Sequence, residues 1–473
     1  MTSYVSGFVK ENQGSQMANI KWAVVCQIAT ISHDKSLFCM SSVIFAFEYC
    51  AMDRVFTLCA NLGSAFEDDR IESQWLEEFE KVVLKADPDV AAIHFQEIGG
   101  KEYKMCMPKV KKFVRKLRDL SCFSHFDRVR GFFDIDFDTE DEFTALGNIY
   151  LFHSRTEPVF LWDFETNTFH GVQGDHVLFE ELKFDKQHQK EKFPTEFYPD
   201  VTWSRKGLLH TKWKLFGSHI FNLVNIHLFH DDDNLTALES PSVYCAYRKK
   251  ALERAIQSVN RTLADLQEPV LFYGDFNFRL DFSAVMRHII SSGHQAEFLK
   301  SPSGKLFDKI VYRPTTEDTS QPTVTVERKR FYVADATLFT SDYKELLQYD
   351  NELNSYAELL ELPINFQPSY PFSEKIDEGT KYMDKRCPAW CDRIVMNNSA
   401  LQLVKKSPGG CIYDMMAKEI CVGDHKPIYL VFTIESSKKG KGSGTHERLV
   451  SYHWLLLGAV CAIILSGIAA KYW

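Results

Sequence analysis

Short, mostly apolar runs alternate with longer amphipathic stretches between residues 53 and 435. A short apolar run bounded by polar residues is typical of a strand that is buried on both faces of a sheet. Such runs predict strands at residues 55–60, 90–95, 221–226, 270–273 and 428–432. Apolar residues also recur at three- and four-residue spacing, which predicts amphipathic helices at residues 75–85, 108–120 and 243–266. The alternation is typical of α/β and α+β folds, and we interpret residues 53–435 as one domain, with two domains as the alternative at this length.

The two ends of the chain differ from this domain. Residues 1–52 have neither a basic region ahead of an apolar core nor a small-residue cleavage site, so we interpret them as a dispensable extension. Residues 436–453 begin with SSKKGKGSGT, which predicts a flexible basic linker. Residues 454–470 are uncharged and would span about 25 Å as a helix. They predict a C-terminal transmembrane segment, with a buried terminal helix as the alternative.

The predicted anchor has consequences for localisation. We expect a single-pass C-terminal membrane protein whose catalytic domain lies in the cytosol, because the lysines at 438, 439 and 441 favour the cytosolic side. The short span fits the endoplasmic reticulum slightly better than the plasma membrane. The twelve cysteines are scattered without a C-x-x-C pair, so neither a disulfide framework nor a structural zinc site is indicated.

Composition and charge restrict the ligand. The chain has 45% hydrophobic and 25% charged residues, which is ordinary for a globular protein. Its formal charge of −9 disfavours binding to nucleic acid. A small phosphorylated ligand in a local basic pocket remains compatible with that charge. The sequence does not identify protein partners.

Short polar motifs follow the predicted strands. Any one of them could be a turn or a solvated charge, since isolated motif matches have a high false-positive rate. Together they place carboxylate, amide and imidazole groups where strands end. They are Asn61 in CANLGS, Glu97 in FQEIGG, Asn225 and His227 in VNIHLFH, Asp275 and Asn277 in GDFNFRL, Asp392 in PAWCDRI, and Asp424 and His425 in GDHKP.

These residue types suit the hydrolysis of a phosphate ester, which needs a positioned water and stabilisation of charge on the phosphate oxygens. Glu97 with Asn61 would offer Mg²⁺ the oxygen ligands that it prefers. Asp275 would orient or deprotonate the water, and His227 and His425 would donate to phosphate oxygens. Asp392 would then fix the tautomer of His425.

The motifs PAWCDRI (residues 388–394) and GDFNFRL (residues 274–280) resemble the two signature sequences of the inositol polyphosphate 5-phosphatase family. This family belongs to the endonuclease/exonuclease/phosphatase superfamily. The similarity extends over residues 54–432 and is greatest to the type I branch, which acts on inositol 1,4,5-trisphosphate, through WSRKG, NIHLFHD, PSVY and RCPAWCDRI. The resemblance implies a four-layer α/β/β/α sandwich with the site at one edge of two facing sheets.

The resemblance also implies roles for individual residues. Magnesium would be held by Asn61 and Glu97. Catalysis would fall to His227, Asp275, Asn277, Asp392, Asp424 and His425. Substrate binding would fall to Arg205, Lys206, Asn225, Arg279, Arg386 and Arg393, with structural ion pairs as the alternative for the arginines.

Two departures from the family pattern bear on substrate and membrane. Lipid-acting relatives carry a lysine where this chain has Asp384, which favours soluble inositol polyphosphates: inositol 1,4,5-trisphosphate and the 1,3,4,5-tetrakisphosphate. Their hydrolysis would terminate calcium-mobilising signalling. Type I relatives often end in a prenylation box, whereas this chain ends in Lys-Tyr-Trp. The alternatives are a phosphoinositide lipid 5-phosphatase, a nuclease or sphingomyelinase of the superfamily, or an inactive inositol phosphate binder.

Overall fold

The computed structural model describes residues 20–29, 40–49, 51–139, 141–199, 205–239, 241–290, 293–300, 307–315 and 321–436. Its strands are β1 (Ile20–Ala29), β2 (Met40–Tyr49), β3 (Ala51–Asn61), β4 (Val90–Gln96), β5 (Phe126–Phe133), β6 (Gly147–His153), β7 (Phe160–Asp163), β8 (Thr168–Gly171), β9 (Asp175–Leu178), β10 (Gln189–Lys192), β11 (Gly207–Leu215), β12 (His219–His227), β13 (Val270–Asp275), β14 (His294–Lys300), β15 (Phe307–Pro314), β16 (Val324–Glu327), β17 (Arg330–Val333), β18 (Leu360–Glu361), β19 (Asp392–Met396), β20 (Ile412–Met415) and β21 (Ile428–Ser436).

The helices complete the chain trace. The α-helices are α1 (Asp69–Ala86), α2 (Tyr103–Arg118), α3 (Asn234–Ala237), α4 (Val243–Asn260), α5 (Phe282–Ile289), α6 (Thr337–Thr340) and α7 (Asn398–Lys405). Short 3-10 helices occupy Ser121–Phe123, Glu180–Phe184, Thr195–Phe197, Tyr343–Tyr349 and Glu352–Ser355.

The chain divides into two compact units. Met52–Ser436 forms one of them and contains the predicted catalytic domain. The other comprises Met1–Ala51 with Ser437–Trp473, and within it β1 and β2 pair antiparallel with Ile20 opposite Tyr49.

Two large sheets form the centre of the Met52–Ser436 unit. The first has the strand order β20-β21-β3-β4-β6-β5-β9. The second has the order β18-β19-β13-β12-β11-β7-β8, with β10 pairing to β11. The pairs β3–β4 and β12–β13 are parallel, so the carboxyl ends of these strands come to the same edge of each sheet.

The alternation of side chains along β3 shows how the layers form. Val55 and Cys59 belong to the core that also contains the second sheet, whereas Phe56 and Leu58 belong to a separate core with helices α1 and α2. Both faces of β3 are therefore buried, as its unbroken apolar sequence requires. Buried residues of α4 and α7 join the core of the second sheet. This arrangement confirms the predicted α/β fold with facing sheets.

Each predicted strand lies within or overlaps an observed strand, but the helix ends differ. Helix α1 begins at Asp69 instead of residue 75 because Asp68 caps it, its side chain accepting a hydrogen bond from the Arg70 amide at 2.8 Å. Helix α2 begins at Tyr103 and contains Pro108, where the prediction placed its start. Burial of Tyr103, Cys106 and Met107 stabilises this turn before the proline.

A third sheet was not predicted. Strands β14, β15, β16 and β17 form a four-stranded antiparallel sheet between α5 and α6, and we call this sheet the arm. Its strands carry many partly exposed side chains, so their apolar periodicity is weak.

The sequence also predicts a membrane-spanning helix at residues 454–470. No helix among the described residues is sufficiently long and apolar to cross a bilayer. The predicted anchor at residues 454–470, and all of the predicted 436–453 linker except Ser436, lie outside the described residues.

Candidate active site

The motif residues meet at one edge of the two sheets. Asn61 ends β3 and Glu97 follows β4 in the first sheet. His227 ends β12 and lies opposite Asp275 at the end of β13. Asp275 in turn lies opposite Asp392 at the start of β19. Strand pairing thus brings residues that are far apart in sequence to neighbouring positions.

The backbone at this edge adopts uncommon conformations. Glu97 and Asn277 have φ angles of 50° and 51°, in the left-handed region that non-glycine residues rarely occupy. Gly274 precedes Asp275, and a Cβ at this position would lie 1.9 Å from the carbonyl oxygen of Ile226. Only glycine therefore allows β12 and β13 to approach so closely here. Conformations of this kind concentrate at functional sites.

Asp275 lies at the centre of a hydrogen-bond network. Its Oδ2 accepts a hydrogen bond from the Asn61 side chain at 2.9 Å. Its Oδ1 accepts one from the backbone N–H of Asn277 at 2.9 Å. His227 Nε2 lies 3.3 Å from Oδ2. Burial opposes the charge on Asp275, but nearby His425, His227 and Lys206 outweigh it and hold its pKa well below the usual range. Asp275 is therefore a carboxylate at neutral pH.

His425 and Asp392 form a buried pair beside it. The ring Nδ1 lies 2.8 Å from Asp392 Oδ2, and the other ring nitrogen lies 4.0 Å from Asp275 Oδ2. Burial disfavours the imidazolium, but the charges of Asp392 and Asp275 outweigh burial and raise the pKa of His425 to about 9. His425 is thus a cation at neutral pH, with Nε2 directed toward the Asp275 side.

A second set of charges surrounds Glu97. Arg205 Nη2 donates to Glu97 Oε2 at 3.1 Å, and His227 Nε2 lies 3.7 Å from Oε1. Lys206 Nζ hydrogen-bonds His227 Nε2. Burial lowers the pKa of Lys206 to about 8, although Glu97 and Asp275 oppose this effect. The Arg205 guanidinium is thus paired with Glu97, whereas the Lys206 side chain lines the cavity described below.

Oxygen atoms of Glu97 and Asn61 converge beside Gly63. A Cβ at Gly63 would lie 3.0 Å from Glu97 Oε2 and 3.1 Å from Asn61 Oδ1. A carboxylate and an amide oxygen that face one small space fit a hard divalent cation. Ligand atoms of Asp275, Asp392 and His425 also lie within 4.8 Å of one another. We favour the Glu97 and Asn61 site because His425 is cationic and its Nδ1 is engaged with Asp392.

These groups open into a cavity of about 320 Å³. Arg279 lines it and stacks on Tyr370, with the guanidinium 4.9 Å from the ring centroid. Its Nη2 donates to Asn277 Oδ1 at 2.6 Å, whereas Nε and Nη1 have no partner within the described part of the chain. A partly buried guanidinium with unpaired donors is suited to a phosphate group. The other residues around the cavity are Asn61, Glu97, Lys101, Lys206, His230, Asp231, Asp232, Asp275, Asn277, Lys329, Lys385, Arg386, Asp424 and His425.

Three predicted substrate residues serve the structure instead. Arg393 is 2% exposed, and its guanidinium pairs with Asp350 and with Glu361 at 2.9 Å, so the predicted phosphate contact is corrected to a structural ion pair. Asn225 is fully buried between the sheets, where its amide donates to the Phe95 carbonyl at 2.9 Å.

The third residue is Arg386. It lines the cavity, but its terminal nitrogens donate to carbonyl oxygens of Asp231, Asp232 and Arg328. Arg386 therefore mainly stabilises the cavity wall, because these hydrogen bonds use N–H groups that would otherwise bind a phosphate.

Other predicted residues lie at or just behind the cavity wall. Asp424 accepts a hydrogen bond from Ser64 Oγ at 2.6 Å and lies 3.7 Å from Lys101 Nζ. His227 and Asp392 are fully or almost fully buried and act on the cavity through Asp275 and His425.

Sequence reasoning missed several residues of the cavity wall. They are Lys101, His230, Lys329, Tyr370 and Lys385. His230 is the last residue of the VNIHLFH motif and Lys385 directly precedes RCPAWCDRI, so their position in or beside a motif was the available signal for these two. Nothing in the sequence around Lys329 indicated an active site. Asp384, in contrast, does not line the cavity among the described residues and pairs with Arg330 at 3.5 Å.

Comparisons with known proteins find related sequences. The domain family described as Endonuclease/Exonuclease/phosphatase family 2 matches residues 323–431. Inositol polyphosphate-5-phosphatase A of Homo sapiens is 37% identical over 389 residues, covering 80% of this chain and 93% of the relative. A probable type I inositol 1,4,5-trisphosphate 5-phosphatase of Caenorhabditis elegans is 31% identical, covering 80% and 98%.

Among solved structures, the chain is similar to the inositol polyphosphate 5-phosphatase domain of SPsynaptojanin, crystallised with inositol 1,4-bisphosphate and calcium. The TM-score is 0.46 at 16% identity, and the alignment covers 82% of this chain and 86% of that one.

Proposed function

The chain belongs to the inositol polyphosphate 5-phosphatase family, and from this premise we propose that it removes the 5-phosphate from soluble inositol polyphosphates in a Mg²⁺-dependent reaction. It is an enzyme of the phosphoric monoester hydrolase class. The observation that carries the proposal is the His425–Asp392 pair lying 4.0 Å from Asp275 in a cavity lined by basic side chains. Such a site brings a carboxylate and fixed cations to one phosphate group.

Asp275 would position the attacking water. Its carboxylate is fixed by Asn61 and Asn277, so a water hydrogen-bonded to it would be held in one orientation. Because the pKa of Asp275 is lowered, the group is a weak proton acceptor, which favours orienting the water over deprotonating it in the ground state.

His425 and Arg279 would stabilise the phosphate. The imidazolium, held in place by Asp392, would donate from Nε2 to a non-bridging oxygen as negative charge develops there. Arg279, which lines the cavity, would donate from its guanidinium to the same phosphoryl group. Attack of the water on phosphorus breaks the bond between phosphorus and the oxygen on C5 of the inositol ring. The water gives up a proton and the departing oxygen takes one up, so the products are inorganic phosphate and an inositol with a free 5-hydroxyl.

Glu97 and Asn61 would hold the Mg²⁺. Their oxygens suit this ion, as the space beside Gly63 indicates. When bound, Mg²⁺ supplies positive charge that stabilises the phosphate oxygens in the transition state. Arg205 orients the Glu97 carboxylate from the protein side by donating to Oε2.

We propose inositol 1,4,5-trisphosphate and inositol 1,3,4,5-tetrakisphosphate as substrates, so that the enzyme ends calcium-mobilising signals. The Caenorhabditis elegans relative, a probable type I inositol 1,4,5-trisphosphate 5-phosphatase, supports the trisphosphate. The Asp384 substitution is weaker support than the sequence suggested, because Arg330 pairs with it outside the cavity wall. A phosphoinositide lipid remains the second candidate substrate.

The test offers the full chain three substrates with Mg²⁺: inositol 1,4,5-trisphosphate, inositol 1,3,4,5-tetrakisphosphate and vesicles containing phosphatidylinositol 4,5-bisphosphate. We expect rapid phosphate release from the two soluble compounds and little from the vesicles. Equal rates on the vesicles would instead support the lipid enzyme. No hydrolysis of any of them, with Mg²⁺ at saturation, would contradict the proposed activity.

We also propose that the protein is a membrane enzyme with its catalytic domain in the cytosol. The support is the uncharged run at residues 454–470 after the basic stretch at 438–441. Carbonate extraction of membranes from expressing cells tests this, since an integral anchor resists extraction. Recovery of the full chain in the carbonate supernatant would exclude the anchor.

A further inference from the structure

The turn between β16 and β17 brings the arm to the cavity wall. The backbone N–H of Asn234 donates to the Arg328 carbonyl at 2.9 Å, and the Asn234 side chain donates to the Glu327 carbonyl at 3.1 Å. Arg386 Nη1 donates to the same Arg328 carbonyl at 3.0 Å. These hydrogen bonds to main-chain carbonyls hold the β16–β17 turn, which is the tip of the arm, against the loop that precedes α3. The position of the tip therefore does not depend on the side chains of the turn alone.

The three basic side chains of this turn have different partners. Arg328 pairs with Asp233 and with Asp308 at 3.2 Å, so it joins the arm to its surroundings. Arg330 pairs with Asp384 away from the cavity wall. Lys329 alone among the three lines the cavity. Its Nζ lies 2.5 Å from Asp232 Oδ1, in a pair whose side chains are 63% and 52% exposed.

Lys385 lines the same cavity from a different segment. Its ammonium has no hydrogen-bond or ion-pair partner among the described residues. No hydrogen bond or ion pair of the described residues connects Lys329 or Lys385 with Asp275, Asn277 or His425. The two lysines thus add positive charge to the cavity wall without being bonded to the group around Asp275.

We propose that Lys329 and Lys385 bind a phosphate group of the substrate other than the one that is hydrolysed, which makes the arm a specificity element. This inference rests on the proposed function. An exposed ion pair such as Lys329 with Asp232 is weak, so a phosphate dianion can replace the carboxylate as the partner of the ammonium. Lys385 would enter the same contact without giving up an existing pair.

The experiment compares full-length Lys329→Gln with Arg330→Gln as the matched control. Both variants remove one exposed positive charge from the same turn, but only the first removes it from the cavity wall. Steady-state kinetics are measured on inositol 1,4,5-trisphosphate and on inositol 5-monophosphate, which has no second phosphate. Lys329→Arg tests rescue, and Lys385→Gln gives an independent measurement. Thermal melting confirms that each variant is folded.

We expect Lys329→Gln to raise KM for the trisphosphate about tenfold, the usual effect of losing one charged hydrogen bond, with kcat nearly unchanged. Lys385→Gln should act similarly, and Lys329→Arg should largely restore KM. On the monophosphate, Lys329→Gln should behave like Arg330→Gln.

Other results overturn the inference. A KM for the trisphosphate equal to that of Arg330→Gln would remove Lys329 from substrate binding. An equal loss on the monophosphate would mean that Lys329 acts on the scissile phosphate or on the structure. If the unmodified chain hydrolyses neither compound while the variants are folded, the proposed function itself fails, and the inference falls with it.

Discussion

The Asp392→Asn substitution probes the centre of the proposed mechanism. It keeps the shape of the side chain that contacts His425 Nδ1 at 2.8 Å but removes its charge. Burial then opposes the imidazolium with less compensation, so the pKa of His425 falls from about 9. We expect turnover to lose its protonated catalyst at a lower pH than in the parent enzyme.

The magnitude follows from the protonated fraction. At pH 7.5 a group with a pKa of about 9 is about 97% protonated, whereas one at the ordinary value of about 6.5 is about 9% protonated. The smaller protonated fraction of His425 accounts for a loss of about tenfold in kcat. Loss of the charge that orients the ring adds a further factor of about ten to a hundred. We therefore expect kcat at pH 7.5 to fall about 10² to 10³-fold.

The assay is the pH dependence of kcat between pH 5.5 and 10. Because the pKa of His425 in the folded enzyme is raised to about 9, kcat should hold at neutral pH and fall as the pH rises through about 9. In Asp392→Asn the alkaline decline should move toward neutral pH. The control is Asp350→Asn, which weakens the buried Arg393 pair; among the described residues, Asp350 has no hydrogen bond or ion pair with His425. An unchanged alkaline decline in Asp392→Asn would refute the argument.

Four further predictions follow from the same structure. Asp275→Ala should lower kcat by about 10³-fold or more while the protein stays folded, because its carboxylate positions the water; near-normal turnover would exclude that role. Glu97→Gln should raise the Mg²⁺ concentration needed for half-maximal activity, and a titration identical to the parent's would remove Glu97 from the metal site. Arg393→Leu should lower the free energy of unfolding by about 3–5 kcal/mol, because Asp350 and Glu361 stay buried without their cation; urea denaturation measures this, and no change would contradict it. Deleting residues 449–473 should release the protein from membranes with its activity on soluble substrate retained, and loss of activity would instead indicate a packed terminal helix.

The arm shows where sequence reasoning stopped. Its strands lie at the surface, so neither a buried apolar run nor a clear alternation identifies them. Lys329 has the local sequence of a solvated charge, and only the docking of Asn234 and Arg386 on the Arg328 carbonyl brings it to the cavity. The same limitation explains Arg393, which lies within a signature motif but whose partners Asp350 and Glu361 come from distant segments.

The sequence alone determined the class of fold and the chemical groups of the site. Burial on both faces makes strands such as β3 and β13 apolar throughout, and the polar residues at their ends, among them Asn61 and Asp275, stand out against these runs. Tertiary structure decided which polar residues work together. His425 and Asp392 are 33 residues apart, and Asn61 and Asp275 are 214 apart, yet each pair is joined by one hydrogen bond. Local sequence preferences act over a few residues, whereas these contacts depend on how the two sheets pack and on the register of β12, β13 and β19.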